Sequence, residues 1–279
     1  MDETVSERVA AQIGAMPGSE RKAAQALTAN YPFAALGTVA EFAANAGVSA
    51  PSVLRFVGRI GFSNYAEFQA ALKGELAHRV QSPFHRAASA APGDAGAFIE
   101  AVSDNLRETF RHLSGGQIAD MAARMVKPGG RVFLVGGRFT DGLARYLAAH
   151  LSIIRPDVHH LAGIEATWRD RLIDISRRDL VIVFDIRRYS GPVARFARAA
   201  HGRGATIVLF TDQWMSPVAA LASHVVAART TVPSPWDSSV ALFAAAELVL
   251  GEATRQGGRK AELRMAEVER LRAETAAPD

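Results

Sequence analysis

The sequence predicts two structural classes in one chain: an all-helical domain over residues 1–80, then a doubly wound parallel α/β domain over 98–256. Three observations carry this. Residues 4–80 read as consecutive helices. Residues 81–97, QSPFHRAASAAPGDAGA, are Pro, Gly, Ser and Ala without a period, the composition of a linker. From Arg131 onward, short β-branched runs alternate with helical stretches, as in a parallel sheet covered on both faces.

The elements follow in order. A first helix is expected at about 4–14 and a second from Ser19, its N-cap, to Asn30, where Tyr31-Pro32 ends it. After the linker, Phe98, Val102, Leu106 and Phe110 line one face of a helix over 98–113. Strands are expected at RVFLV (131–135), VHHL (158–161), LVIVF (180–184), TIVLF (206–210) and HVVAA (224–228). Helices are expected at 142–154, 191–201 and 237–256. The strongly charged tail, 257–279, reads as a solvated helix or an arm lying on a partner subunit.

Composition removes several function classes. With 49% hydrophobic and 22% charged residues, the chain can build real cores and is not disordered throughout. It has no cysteine, so disulfides, thiolate metal sites and cysteine nucleophiles are excluded. The start, MDETVSERVA, has no apolar core of the signal-peptide kind, and the apolar run Val240–Leu250 is short and interrupted by Glu247. A cytoplasmic protein with no membrane partner is therefore expected. A net charge of +4 permits nucleic-acid binding without requiring it.

Residues 38–62, TVAEFAANAGVSAPSVLRFVGRIGF, concentrate the chemistry. Thr38 with Glu41 three residues on makes a capping box, and Gly47 supplies the left-handed residue that turns the chain. Ser49 caps the next helix, with Pro51 in its first turn. Val53, Phe56, Val57 and Ile60 share the buried face of that helix. Ala50, Ser52, Arg55 and Arg59 fall mostly on the other. A helix of this kind fits the major groove, with Ser49, Ala50, Pro51, Ser52 and Arg55 near base edges and Arg59 near phosphate. An ordinary hairpin inside a helical bundle has the same spacing.

The stretch GSERKAAQALTANYPFAAL followed by TVAEFAANAGVSAPSVLRFVGRIGFSNYAEFQ resembles the N-terminal domain of the RpiR/MurR family of bacterial transcriptional regulators. The resemblance rests on Glu20-Arg21-Lys22, the Ala-Gly-Val-Ser turn, Val53-Leu54-Arg55-Phe56 and Gly61-Phe62-Ser63. It implies double-stranded operator DNA as a partner, a homodimer or higher homo-oligomer, and a C-terminal sugar-isomerase-like (SIS) domain that binds a phosphosugar. No cofactor and no catalytic residue is implied.

Two strand ends match the expected ligand site. Gly136, Gly137, Arg138 and Thr140 follow the first strand, and a glycine turn at a helix N-terminus can hold an anion. Asp185, Arg187, Arg188 and Ser190 follow the third, where SIS domains have Ser-x-Ser-Gly-x-Thr. Asp185 would repel phosphate, whereas Arg187 and Arg188 could clamp an anion together. The expected effector is thus a small anionic metabolite, with a sugar phosphate in doubt. Two alternatives stay open. One is a sugar-phosphate isomerase, with Glu165 or His201 as a base that no motif singles out. The other is a regulator whose sheet domain only dimerises.

Overall fold

The computed structural model describes residues 3–80, 94–127, 129–163 and 165–275. Most of the expected linker, 81–93, and the last four residues of the tail lie outside the described residues.

Five helices build the N-terminal part: α1 (Val5–Gln12), α2 (Gly18–Ala29), α3 (Val39–Ala46), α4 (Ala50–Arg59) and α5 (Tyr65–Val80). The Thr38–Glu41 capping box forms at the start of α3. Gly47 ends that helix at φ 61°, a conformation that a side chain would strain. Phe56 of α4 is fully buried and meets Phe42 and Phe68 edge-on, with ring centroids 6.3 and 6.2 Å apart. Two expected caps differ. Pro17, not Ser19, occupies the N-cap of α2, two residues earlier, so the helix starts at Gly18. Ser49 stands at the N-cap of α4, but its hydroxyl bonds to the Ser52 hydroxyl at 3.0 Å rather than to a backbone N–H.

Helix α6 (Ala95–Arg111) begins three residues before the expected position, because Asp94 caps it by accepting from the N–H groups of Gly96 and Ala97. The sequence reading passes over α7 (Gly115–Val126), although Ser114 and Gln117 form a capping box and Met121, Ala122 and Met125 are buried on one face.

The sheet follows: β1 (Val132–Gly136), α8 (Asp141–Ile154), β2 (Val158–His160), α9 (Glu165–Arg171), β3 (Leu180–Asp185), α10 (Gly191–Gly202), β4 (Thr206–Asp212), β5 (His224–Ala228) and α11 (Val240–Thr275). All neighbours pair in parallel, in the order β2-β1-β3-β4-β5. β1, β3 and β4 are buried on both faces, which explains their continuous apolar runs. Leu134, Ile182, Phe184 and Phe210 face α7, α8 and α11, while Phe133, Val183 and Leu209 face α10. Helix α11 carries the chain into the charged tail, with a break at Gly258 (φ 51°) and a run of ion pairs beyond it. No described helix is long and apolar enough to cross a membrane.

The helical part packs against the sheet part. Glu7 of α1 and Arg229, just past β5, form a buried ion pair at 2.5 Å. Met215 touches the cores on both sides of the junction.

Truncating Phe56 to Ala should destabilise the helical part by about 3–5 kcal/mol, because a close-packed core collapses only partly into the space left. Denaturant unfolding followed by circular dichroism measures this. A loss below about 1 kcal/mol would show that the three phenylalanines do not form the core of this part.

Candidate functional site

Helix α4 buries Val53, Phe56, Val57 and Ile60 and turns Pro51, Leu54, Arg55 and Arg59 outward. Ser52, expected among the base-reading groups, is buried. Its hydroxyl accepts from Arg55 Nη2 at 2.9 Å, so it orients the arginine and does not itself reach out. Arg59 Nε bonds to the carboxylate of Glu20 on α2, and Arg55 Nε lies 3.9 Å from the same group. Glu20 is buried, so one carboxylate holds both arginines while their side chains stay 59% and 39% exposed. A guanidinium held this way keeps further N–H donors for a second partner. Leu54 is 49% exposed on the same face, and the sequence reading gave it no role. An apolar side chain there suits a thymine methyl group in the major groove.

The second site lies where the strand order reverses. β1 is flanked by β2 and β3, so the helices leaving β1 and β3 cover opposite faces and open a crevice beyond the strand ends. The loops after β1 and β3 meet there. Gly137 N–H donates to the Phe184 carbonyl at 3.1 Å and to Thr140 Oγ1 at 2.9 Å. The buried Thr140 hydroxyl donates to the Phe184 carbonyl at 2.6 Å. Thr140 therefore ties two loops together, and its hydroxyl is spent inside the protein. Gly136 is required by close approach, since a Cβ would lie 2.5 Å from the backbone nitrogen of Asp141.

The loop after β3 is organised by its carboxylate. Asp185 is buried and accepts from Ser190 N–H at 3.0 Å and from the Ser216 hydroxyl at 2.6 Å. Arg187 is also buried. Its Nε lies 2.9 Å from Asp237, and its guanidinium sits 3.9 Å above the ring of Trp214. Its backbone N–H donates to Asp212, which also accepts from the Tyr189 hydroxyl at 2.6 Å. Burial pushes the Asp212 carboxyl above its ordinary range, and the bonds from Tyr189 and Arg187 counter that rise. The expected paired clamp is thus split, with Arg187 turned inward and Arg188 exposed at φ 56°. Arg138 is exposed on the facing loop, where it lies over Phe139. Phe139 and Trp236 meet edge-on at 5.9 Å and are both more than half exposed. Ser190 caps α10 by accepting from Val193 N–H, which leaves its own O–H to donate.

Other polar groups around the sheet are engaged: Trp168 is buried and donates to the Ala162 carbonyl. His159 stacks on Phe133, and His160 Nε2 bonds to Asp141 at 2.8 Å. Ser234 and Ser238 accept from nearby backbone N–H groups. Glu165 is bound by Arg195 at 2.8 Å and by Arg169 at 3.0 Å, and these bonds hold its carboxyl down to about 2. A carboxylate held so low is a poor general base.

A family model for the helix-turn-helix domain of the rpiR family matches residues 4–79, and one for the SIS domain matches 125–250. The sugar isomerase domain of an RpiR transcription factor from Sphaerobacter thermophilus aligns at 25% identity, covering 63% of this chain and 97% of that one, with a TM-score of 0.58. The Vibrio vulnificus NanR protein, complexed with ManNAc-6P, has the same fold over 99% of this chain and 100% of its own, at 17% identity and a TM-score of 0.56. A 3-hexulose-6-phosphate isomerase from Mycobacterium gastri is 32% identical over 128 residues, 46% of this chain, and the match spans 61% of that protein's length. With an rpiR-type helix-turn-helix in front of a SIS domain, the chain belongs to the RpiR family of DNA-binding transcriptional regulators.

Proposed function

We propose that this regulator reads DNA with the outer face of α4 and changes its affinity when a small anion binds at the crevice between the ends of β1 and β3. Two exposed arginines from facing loops, Arg138 and Arg188, carry the second half of this reading. Together with the Ser190 hydroxyl they offer an anion both charge and hydrogen bonds. Gly136, Gly137, Thr140, Asp185 and Arg187 shape the crevice instead of touching the ligand. The domain boundaries follow the same division: residues 1–80 bind DNA, 98–256 sense the effector, and 257–279 form the charged tail.

A phosphorylated sugar is one candidate, because NanR is seen complexed with ManNAc-6P and the Mycobacterium gastri protein is an isomerase of such a compound. An isomerase activity is disfavoured by the ion pairs that occupy Glu165 and by the position of His201, which is exposed at the end of α10. The sensing reading also implies a coupling free energy: the anion must bind the DNA-competent and DNA-incompetent arrangements unequally.

Arg55→Ala should cost about 1–3 kcal/mol in binding to a specific duplex, and Arg59→Ala should weaken binding to all duplexes and lower the salt slope by about 1. Gel shifts over a range of salt test both; unchanged affinity and slope would remove these side chains from the interface. Arg188→Ala should abolish the rise in melting temperature produced by a bound anion while leaving the unliganded protein stable. Arg187→Ala should instead destabilise the domain by about 3–5 kcal/mol, since it strips a nearly buried carboxylate of its cation. Full anion response in Arg188→Ala would take that arginine out of the site.

A further inference from the structure

A cavity fit for a small molecule lies away from the strand ends, at the junction of the two domains. It measures about 470 Å³ and is walled by α1 and α2 on one side and by α6, α7 and β5 on the other. That is the size range of pockets that hold small organic ligands. Its surface is mainly apolar, with Val9, Ile13 and Leu27 facing Leu113, Met215 and Val225.

The polar groups in the wall restrict what fits. No lysine or arginine is among the described lining residues, whereas Glu7 and Asp120 are. Glu7 is already bound by Arg229. An anion placed here would meet carboxylates and lose its hydration without compensation. Among the uncharged polar groups of the wall, His224, at the start of β5, stands out: its Nδ1 is buried and makes no hydrogen bond among the described residues. Burial, followed by the charge of Arg124, lowers its pKa against the smaller opposing pull of Asp120, so the ring is neutral near pH 7. A neutral imidazole nitrogen either donates or accepts according to its tautomer, and a hydroxyl group serves both cases.

We infer that this junction is a second ligand site, one that takes a compact, uncharged, largely apolar molecule bearing a hydroxyl group directed to His224. Its chemistry is the opposite of the cationic crevice between β1 and β3, so the two sites do not compete for one ligand. Because its walls come from both domains, an occupant touches the DNA-binding helices and the sheet at once and braces one against the other.

Titration of the full chain with 2-naphthol, an uncharged aromatic with one hydroxyl, tests the site by calorimetry and by thermal shift. Saturable binding is expected, with naphthalene-2-sulfonate bound at least about tenfold more weakly because of its charge. Ala10→Trp, which fills the cavity from α1, should weaken 2-naphthol by at least about tenfold. Ala227→Leu does the same from β5, so misfolding of one variant leaves the other to decide. His224→Phe keeps the ring but removes its nitrogens, and should reduce 2-naphthol binding while sparing naphthalene. Absence of binding to the natural chain, equal binding of the sulfonate, or unaltered binding in both filled variants would overturn the assignment.

Discussion

A buried carboxylate must find donors, and at the end of β3 the protein supplies them all from within. Asp185 takes the Ser190 N–H and the Ser216 hydroxyl, while its own carbonyl accepts from Thr211. This fixes the loop that leads into α10, sets the N-cap of that helix, and anchors the turn after β4. It also decides the chemistry of the crevice. A negative charge at Asp185 disfavours a phosphate at that position, so the proposed anion site falls to Arg138, Arg188 and Ser190. Arg187 cannot join them, because Asp237 and the face of Trp214 already satisfy it.

The same logic, in which one buried acid positions arginines, recurs in the DNA-binding domain. Glu20 lies beneath α4 and holds Arg59 and Arg55 from behind. Preorganised guanidinium groups lose less side-chain entropy on meeting DNA than free ones. At the junction a third acid, Glu7, is bound by Arg229. Arg229 precedes the segment that carries Trp236 and Asp237, the partner of Arg187. A short covalent stretch therefore links the effector crevice to the helix that opens the DNA-binding domain. Under the proposed function, this stretch is the candidate route between the anion and the DNA-binding helices.

The sequence was most legible where one period governed a whole segment. All five strands appear within one or two residues of their expected limits, most plainly β1, β3 and β4, because strands covered on both faces demand continuous apolar runs. The capping box at Thr38 and the turn at Gly47 were equally readable, since each needs particular residue types at fixed spacing. Helix α7 was missed although Ser114 and Gln117 signalled its start; its glycine-rich opening looked like more of the loop before it. The site residues were legible as a set but not as roles. Nothing local to Ser52, Arg187 or Thr140 indicates burial. Partners that hold Arg187 and Thr140 inward lie far along the chain: Asp237 is 50 positions from Arg187, and Phe184 is 44 from Thr140. Arg59 and Glu20, 39 positions apart, present the same difficulty.

The two halves of the proposed function meet in the coupling of sequence-specific DNA binding to a small anion. It is tested most directly by selecting duplexes from a random pool with the full chain and measuring affinity for the selected duplex as phosphorylated sugars and other small anions are added. The account predicts an enriched sequence motif and at least one anion that shifts the affinity by about fivefold or more, the scale of ordinary allosteric coupling. A pool without an enriched motif, or an affinity indifferent to every anion tried, would contradict it.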